Sequence, residues 1–128
     1  IPKDQSCKFC MDNQSKGEMY ISEILDSLNV LYHRQHRFDM CFNKRKLPFD
    51  FYLPDYNICI EFDGKQHFKS IDFFGGETEF KKRQINDGIK NSFCEKNNIN
   101  LLRIDVLDYS KIKSLLFSKI KDVPHYKP

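Results

Sequence analysis

Asp50, Glu61, Asp63 and His67 are the residues of this 128-residue chain whose types and spacing could do chemistry. The three carboxylates stand in apolar, strand-like runs. In Phe49-Asp50-Phe51-Tyr52-Leu53, alternation sends Phe49, Phe51 and Leu53 to one face and Asp50 to the other. In Ile58-Cys59-Ile60-Glu61-Phe62-Asp63 the same rule groups Ile58, Ile60 and Phe62, with Glu61 and Asp63 opposite. Pro54-Asp55-Tyr56-Asn57 between the runs is a turn-forming cluster. With Asp55 and Tyr56 at the turn centre, Leu53 pairs with Ile58, Tyr52 with Cys59 and Phe51 with Ile60, and Asp50 falls opposite Glu61. A turn one residue longer offsets the pairing by one. Directly opposed strand residues have Cβ atoms about 5 Å apart, and like charges there are destabilising. A fold keeps such a pair where something positive sits between the carboxylates, and a divalent metal ion is the candidate. Taken singly, each acid reads as a solvated strand-end charge; the four residues together read as a site.

The elements that must position these groups follow from periodicity. Ser15-Lys16-Gly17-Glu18 is a capping-box pattern opening a helix, with Tyr20, Ile21, Ile24, Leu25 and Leu28 as its apolar stripe and Asn29 as its end. Residues 30–38 read as a strand and 39–46, rich in Lys and Asn, as a loop. The two acid-bearing strands follow, then an aromatic-rich loop over 64–76. A helix is predicted from about 78 to 97, with Ile85, Ile89 and Phe93 on one face and Arg83, Asp87 and Lys90 on a neighbouring one. Asn98 breaks it, 100–106 reads as a strand, and Ile112, Leu115, Leu116 and Ile120 mark a terminal amphipathic helix. The fold class is therefore α/β: a mixed four-stranded sheet flanked by helices, in the order αβββαβα.

Composition sets the outer limits. A 40% hydrophobic and 14% aromatic chain of this length is expected to form one domain with a real core. No apolar run approaches the roughly 20 residues of a membrane span, and there is no signal-peptide pattern. Five cysteines, an odd number, do not look like a secreted disulfide framework, so an intracellular setting is expected, cytoplasmic or nucleoid-associated. The net charge of +3 is modest, but Lys44-Arg45-Lys46, Lys81-Lys82-Arg83 and Lys111, Lys113, Lys119 and Lys121 form local basic clusters. Any one is an ordinary solvated face; several around an acidic centre suit a polyanion held by its backbone while a metal works on one phosphate. The chain begins at Ile1 without an initiator Met and reads as a piece of something longer. Cys7-Lys8-Phe9-Cys10 supplies half of a four-ligand zinc site. It reads either as the end of a zinc ribbon, with zinc bound only if an absent N-terminal half adds ligands, or as two incidental thiols. The expected division is a CxxC remnant over 1–14, the main domain over 15–122 and a tail over 123–128.

This order, with Asp50 on the second strand and Glu61-Phe62-Asp63 on the third, resembles the PD-(D/E)XK nuclease superfamily and its restriction-endonuclease-like core. The branch it is most similar to includes very-short-patch repair endonucleases and phage- and intron-encoded homing endonucleases. The resemblance is carried by Ser15-Lys16-Gly17-Glu18, Leu47-Pro48-Phe49-Asp50-Phe51, Ile60-Glu61-Phe62-Asp63-Gly64-Lys65-Gln66-His67, Arg83…Asp87…Lys90 and Asn98-Ile99-Asn100-Leu101-Leu102-Arg103-Ile104. It spans roughly residues 15–106. The branch often carries a metal-chelating CxxC module before the nuclease. It implies a metal-dependent DNA endonuclease domain of phage or mobile-element origin, such as the cleavage module of a homing enzyme. The alternatives are a mismatch-nicking repair or restriction-type nuclease, and a non-catalytic nucleic-acid-binding module of the same fold. One departure keeps the last alternative alive: the usual Glu-x-Lys is Glu61-Phe62-Asp63 here, leaving Lys65, Lys90 or His67 to replace the lysine.

Phosphodiester hydrolysis requires an activated water, a neutralised phosphate and a stabilised leaving oxygen, and Mg²⁺, with Mn²⁺ as substitute, suits carboxylate and carbonyl ligands. Asp50 and Glu61 are the expected ligands, with the Phe62 carbonyl and Asp63 as further ones. His67 suits acid–base duty, Gln66 the positioning of water or phosphate, and Lys90 the stabilisation of charge on phosphorus. Against these stand a loop histidine, a loop glutamine and an exposed helix salt-bridge set. Glu18 is either a local cap or an active-site carboxylate. Lys44, Arg45, Lys46, Lys65, Lys82 and Arg83 are the expected DNA-binding residues. The partner is double-stranded DNA, with a homodimer as the route to double-strand cleavage and no membrane. His33 and His36 have poor ligand spacing, and Cys41, Cys59 and Cys94 read as small core hydrophobes.

Overall fold

A computed structural model of the chain describes residues 15–63 and 76–121. The elements are α1 (Lys16–Ser27), β1 (His33–Asn43), β2 (Arg45–Leu53), β3 (Ile58–Phe62), α2 (Gly76–Lys96), β4 (Asn100–Ile104) and α3 (Tyr109–Lys121), the αβββαβα order expected. The four strands form one mixed sheet in the order β1-β2-β3-β4, the first two pairings antiparallel and the last parallel.

By packing, the chain falls into two compact units, one from Ile1–Leu31 with Val106–Pro128 and the other from Tyr32–Asp105. In the first, the Ser15 hydroxyl caps α1 by accepting the Glu18 N–H at 3.2 Å. Ile21, Ile24 and Leu25 are fully buried, as are Ile112, Leu116 and Ile120 on α3. Tyr20 and Tyr109 meet edge to face with ring centroids 5.2 Å apart. Leu115, expected within the α3 stripe, is instead 42% exposed.

The second unit holds the sheet and α2. Its β2–β3 register is the one derived from the turn: Leu53 opposite Ile58, Tyr52 opposite Cys59, Phe51 opposite Ile60. Asn57 makes that turn fit, taking the left-handed φ of 55° that asparagine tolerates. Its side chain accepts from the Tyr52 hydroxyl at 2.8 Å and donates to the Asn98 carbonyl at 3.0 Å. The turn is thereby tied to the end of α2, where Asn98 is also left-handed with φ 56°.

Two expectations are corrected here. Residues 39–46 are not a loop: β1 runs on to Asn43, and β2 begins at Arg45 after a tight turn at Lys44, where φ is 70°. Alternation is lost in this stretch because the register slips. Arg37 pairs with Pro48 but Phe42 with Lys46, so five steps along β1 match only two along β2. Nor does Phe49 share the face of Phe51. Phe49 belongs to a cluster with Cys41, Leu47, Cys59 and Cys94, against which Phe38, Tyr52, Ile89 and Phe93 pack, whereas Phe51 meets Tyr32. The change of face falls at Asp50. The β1–β2 pairing skips that level, between Arg34↔Phe51 and His36↔Phe49, and the residue passed over, Gln35, has a left-handed φ of 51°. The three cysteines are buried in the core, as expected.

Candidate active site

The β2–β3 ladder ends its regular pairing at Phe51↔Ile60, and one step further the two carboxylates take its place. The Asp50 N–H donates to Glu61 Oε2 at 2.8 Å, and the Phe62 N–H donates to Asp50 Oδ2 at 2.8 Å. Each acid thus holds the backbone beside the other, and the pair interlocks across the strands. Charge-assisted bonds of this kind are roughly twice as strong as neutral ones, which explains how two like charges persist at cross-strand range.

The third member comes from α2. Lys90 Nζ lies 2.9 Å from Glu61 Oε1, with side-chain exposures of 10% and 6%, and stands over the Phe49 ring at 5.2 Å from its centroid. Burial is the main reason the Glu61 carboxyl is held above its usual range; the Asp50 charge adds to this, and Lys90 works against it. Glu61 and Lys90 are buried, and Asp50 is half-buried beside them.

A second network adjoins it at the end of the parallel pair. Arg103 stands opposite Glu61 in the β3–β4 register, and its guanidinium lies 3.6 Å from Asp63 and 3.7 Å from Asp87. It also donates to Asn91 Oδ1 at 2.9 Å. Burial pushes the Asp63 carboxyl up, while Arg103 and Arg83 pull it down and Asp87 and Asp105 push it further up. The α2 face predicted from Arg83, Asp87 and Lys90 is therefore the face that meets the acidic strands. Sequence reasoning gave Arg103 no role. The available signal was an arginine inside the apolar run Leu101-Leu102-Arg103-Ile104 that pairs with the acid-bearing strand.

The other candidates divide as follows. Lys65, Gln66 and His67 lie outside the described residues, as do Cys7 and Cys10. Glu18 belongs to the other compact unit, in the first turn of α1. Lys82 is an exposed helix residue 3.4 Å from Glu79, and Lys44, Arg45 and Lys46 sit exposed at the β1–β2 turn. His33 and His36 stack with ring centroids 5.6 Å apart, three residues apart on one face because left-handed Gln35 lies between them. His36 also stacks on Tyr52 at 4.8 Å, and burial, followed by the nearby His33, lowers its pKa.

Among the described residues, no group of three or more His, Cys, Asp and Glu side chains is arranged to hold a metal ion. Asp50 and Glu61 are two oxygen ligands of the right hardness for Mg²⁺, but Glu61 Oε1 is taken up by Lys90, so a cation must share or displace that contact. No helix of the described residues is long and apolar enough to cross a membrane.

No protein-family model matches this chain, and no solved structure does. Two viral proteins are similar to it. "Uncharacterized protein 307L" of Invertebrate iridescent virus 6 is 32% identical over 76 residues, 59% of this chain and 38% of the viral protein. "Uncharacterized protein 033L" of Invertebrate iridescent virus 3 is 27% identical over 84 residues, 64% of this chain and 43% of the viral protein. The matched stretches thus amount to about two fifths of these relatives' length.

Proposed function

We propose that this chain is a metal-dependent DNA endonuclease module of the PD-(D/E)XK kind, serving a virus or mobile element, with double-stranded DNA as substrate. The observation that carries the reading is the interlocked Asp50–Glu61 pair with Lys90 on Glu61. A cross-strand carboxylate pair, Glu61 buried and Asp50 half-buried, whose like charges repel is expensive for a fold that makes no use of it. Lys90, reaching in from α2, supplies the ammonium that the superfamily pattern places on the strand, where this chain has Asp63.

The residues divide the work. Asp50 and Glu61, with the Phe62 carbonyl, would hold Mg²⁺, which supplies charge neutralisation and a more acidic water. Lys90, fixed by Glu61 and by the Phe49 ring, presents a positive charge to the phosphate. Arg103, braced between Asp63 and Asp87, orients Asp63 and keeps a second cation at the edge of the site. His67 and Gln66 follow β3 by a few residues and are proposed as the acid–base and positioning groups. Dimerisation would turn a nick into a double-strand break.

Supercoiled plasmid with Mg²⁺ or Mn²⁺, against an EDTA control, tests the reading. Relaxation or linearisation is expected only with metal. Asp50→Asn should lower the rate by about 10² or more and leave duplex affinity nearly unchanged. Metal-independent cleavage, or full activity in purified Asp50→Asn, overturns it. The full engagement of Glu61 by Lys90 and the Asp50 N–H favours one second reading, a DNA-binding module that does not cut. Duplex binding without cleavage under every metal tried would establish that instead.

A further inference from the structure

We infer that the β1–β2 hairpin is a ribbon that enters the major groove of duplex DNA, where Lys44 and Arg45 meet phosphates and Phe42 meets base edges. The choice of DNA rests on the nuclease reading; the contacts rest on the hairpin itself. Its tip turns at Lys44 with φ 70°, and Lys44, Arg45 and Lys46 are all exposed. Among the described residues neither Lys44 nor Arg45 has an ion-pair partner, whereas Lys46 reaches Asp39 at 2.7 Å. Cys41 is fully buried, and Asn43 Nδ2 donates to Asn86 Oδ1 on α2 at 2.8 Å. Phe42, between them, stands opposite Lys46 and is 53% exposed. Met40 is set apart from it, lining a groove with Ile85, Ile89 and Phe93 of α2. An exposed aromatic ring and two cations at the tip of a two-stranded ribbon form a contact surface.

The dimensions fit. Lys44, in the turn that leads into β2, lies six residues before Asp50, about 20 Å at roughly 3.3 Å per residue. That distance is about six base pairs at roughly 3.4 Å of duplex each. A phosphate held at Asp50 thus places the neighbouring groove at the hairpin tip. The major groove, about 12 Å wide, admits a two-stranded ribbon, and a phenyl ring there meets the thymine methyl. Between two copies of this net-positive chain the same tip would bring cations together, so a self-interface is the less favoured occupant.

The test uses the full chain carrying Asp50→Asn, in EDTA, with a 20-base-pair duplex followed by fluorescence anisotropy across a salt series. Lys44→Asn with Arg45→Gln keeps the turn preference and removes two charges. It should weaken binding about tenfold and flatten the salt slope by about 1.8, at roughly 0.9 per phosphate contact. Lys111→Gln with Lys113→Gln removes the same charge from α3 and should change affinity less than twofold. Equal losses from both pairs, no loss from the hairpin pair, or no duplex binding by the parent overturn the inference. A duplex with 5-iododeoxyuridine in place of thymidine gives a readout independent of any variant's folding. Irradiation should cross-link Phe42, and cross-links confined to other segments overturn the inference, as does a concentration-dependent doubling of mass that Phe42→Thr abolishes without affecting DNA binding. Binding through the hairpin without cleavage would remove the nuclease reading and keep this one. Cleavage by the Lys44→Asn/Arg45→Gln chain with an unchanged KM would do the reverse.

Discussion

The two ends of β2 solve opposite problems. Around Asp50 the strand is enclosed: Glu61 and Lys90 are buried, the bonds joining the three residues are 2.8–2.9 Å long, and charge is held in a fixed geometry by backbone N–H groups. Around Lys44 it is open: Lys46 and Asp39 form their ion pair at 54% and 85% side-chain exposure, where water screens most of its energy. The same strand therefore carries charges that must matter to the fold and charges that hardly can. The difference teaches where function is to be sought at each end, in strain at the first and in availability at the second.

Lys90→Met should give the largest effect, because it leaves Glu61 buried without its counter-charge. A buried pair broken on one side loses about 3 kcal/mol. The sign with pH follows from the raised Glu61 carboxyl. Its contribution to stability is fully present below the ordinary value of 4.5 and is lost as pH rises through the higher folded value. Removing Lys90 raises that value further, so denaturant titrations should show a large deficit at pH 8 that shrinks toward pH 4.5. An equal deficit at both pH values would mean that Lys90 acts by packing alone.

Asp50→Asn is intermediate and of opposite sign. The amide oxygen can still accept the Phe62 N–H, while the charge that pushes Glu61 up is gone. A stabilisation of about 0.5–1 kcal/mol at pH 7 is expected, read as a higher denaturation midpoint. A less stable protein would show that the acidic end is built for stability and would end the contrast. Lys46→Ala is the smallest change: melting should not move measurably, at low or high salt. A clear loss would mean that the open end is structurally committed too.

Much of this was legible from residue order. The β2–β3 register followed from a four-residue turn and two apolar runs, because hairpin geometry leaves few alternatives once the turn centre is chosen. The approach of Asp50 to Glu61 followed from it. The β1–β2 hairpin was not legible, because a slip of register erases the period of two that identifies a strand. Phe49 was assigned to the wrong face for a related reason: the change of face at Asp50 falls level with a left-handed residue on the neighbouring strand, Gln35, and glutamine does not announce such a backbone as glycine or asparagine would. Lys90 was read correctly as part of a charged helix face, but its burial against Glu61 depends on packing that sequence spacing alone does not give. Arg103 was overlooked because its role depends on a parallel pairing between segments separated by a 21-residue helix.

The irregularities of β1 have a consequence for how the chain behaves in company. As an outer strand of the sheet among the described residues, an eleven-residue β1 could serve as a template for a foreign strand. Gln35 breaks its line near one end, and the slip between Arg37 and Phe42 breaks it again. An approaching chain would find no continuous row of donors and acceptors long enough to extend the sheet, which protects a crowded solution of this protein from edge-to-edge aggregation.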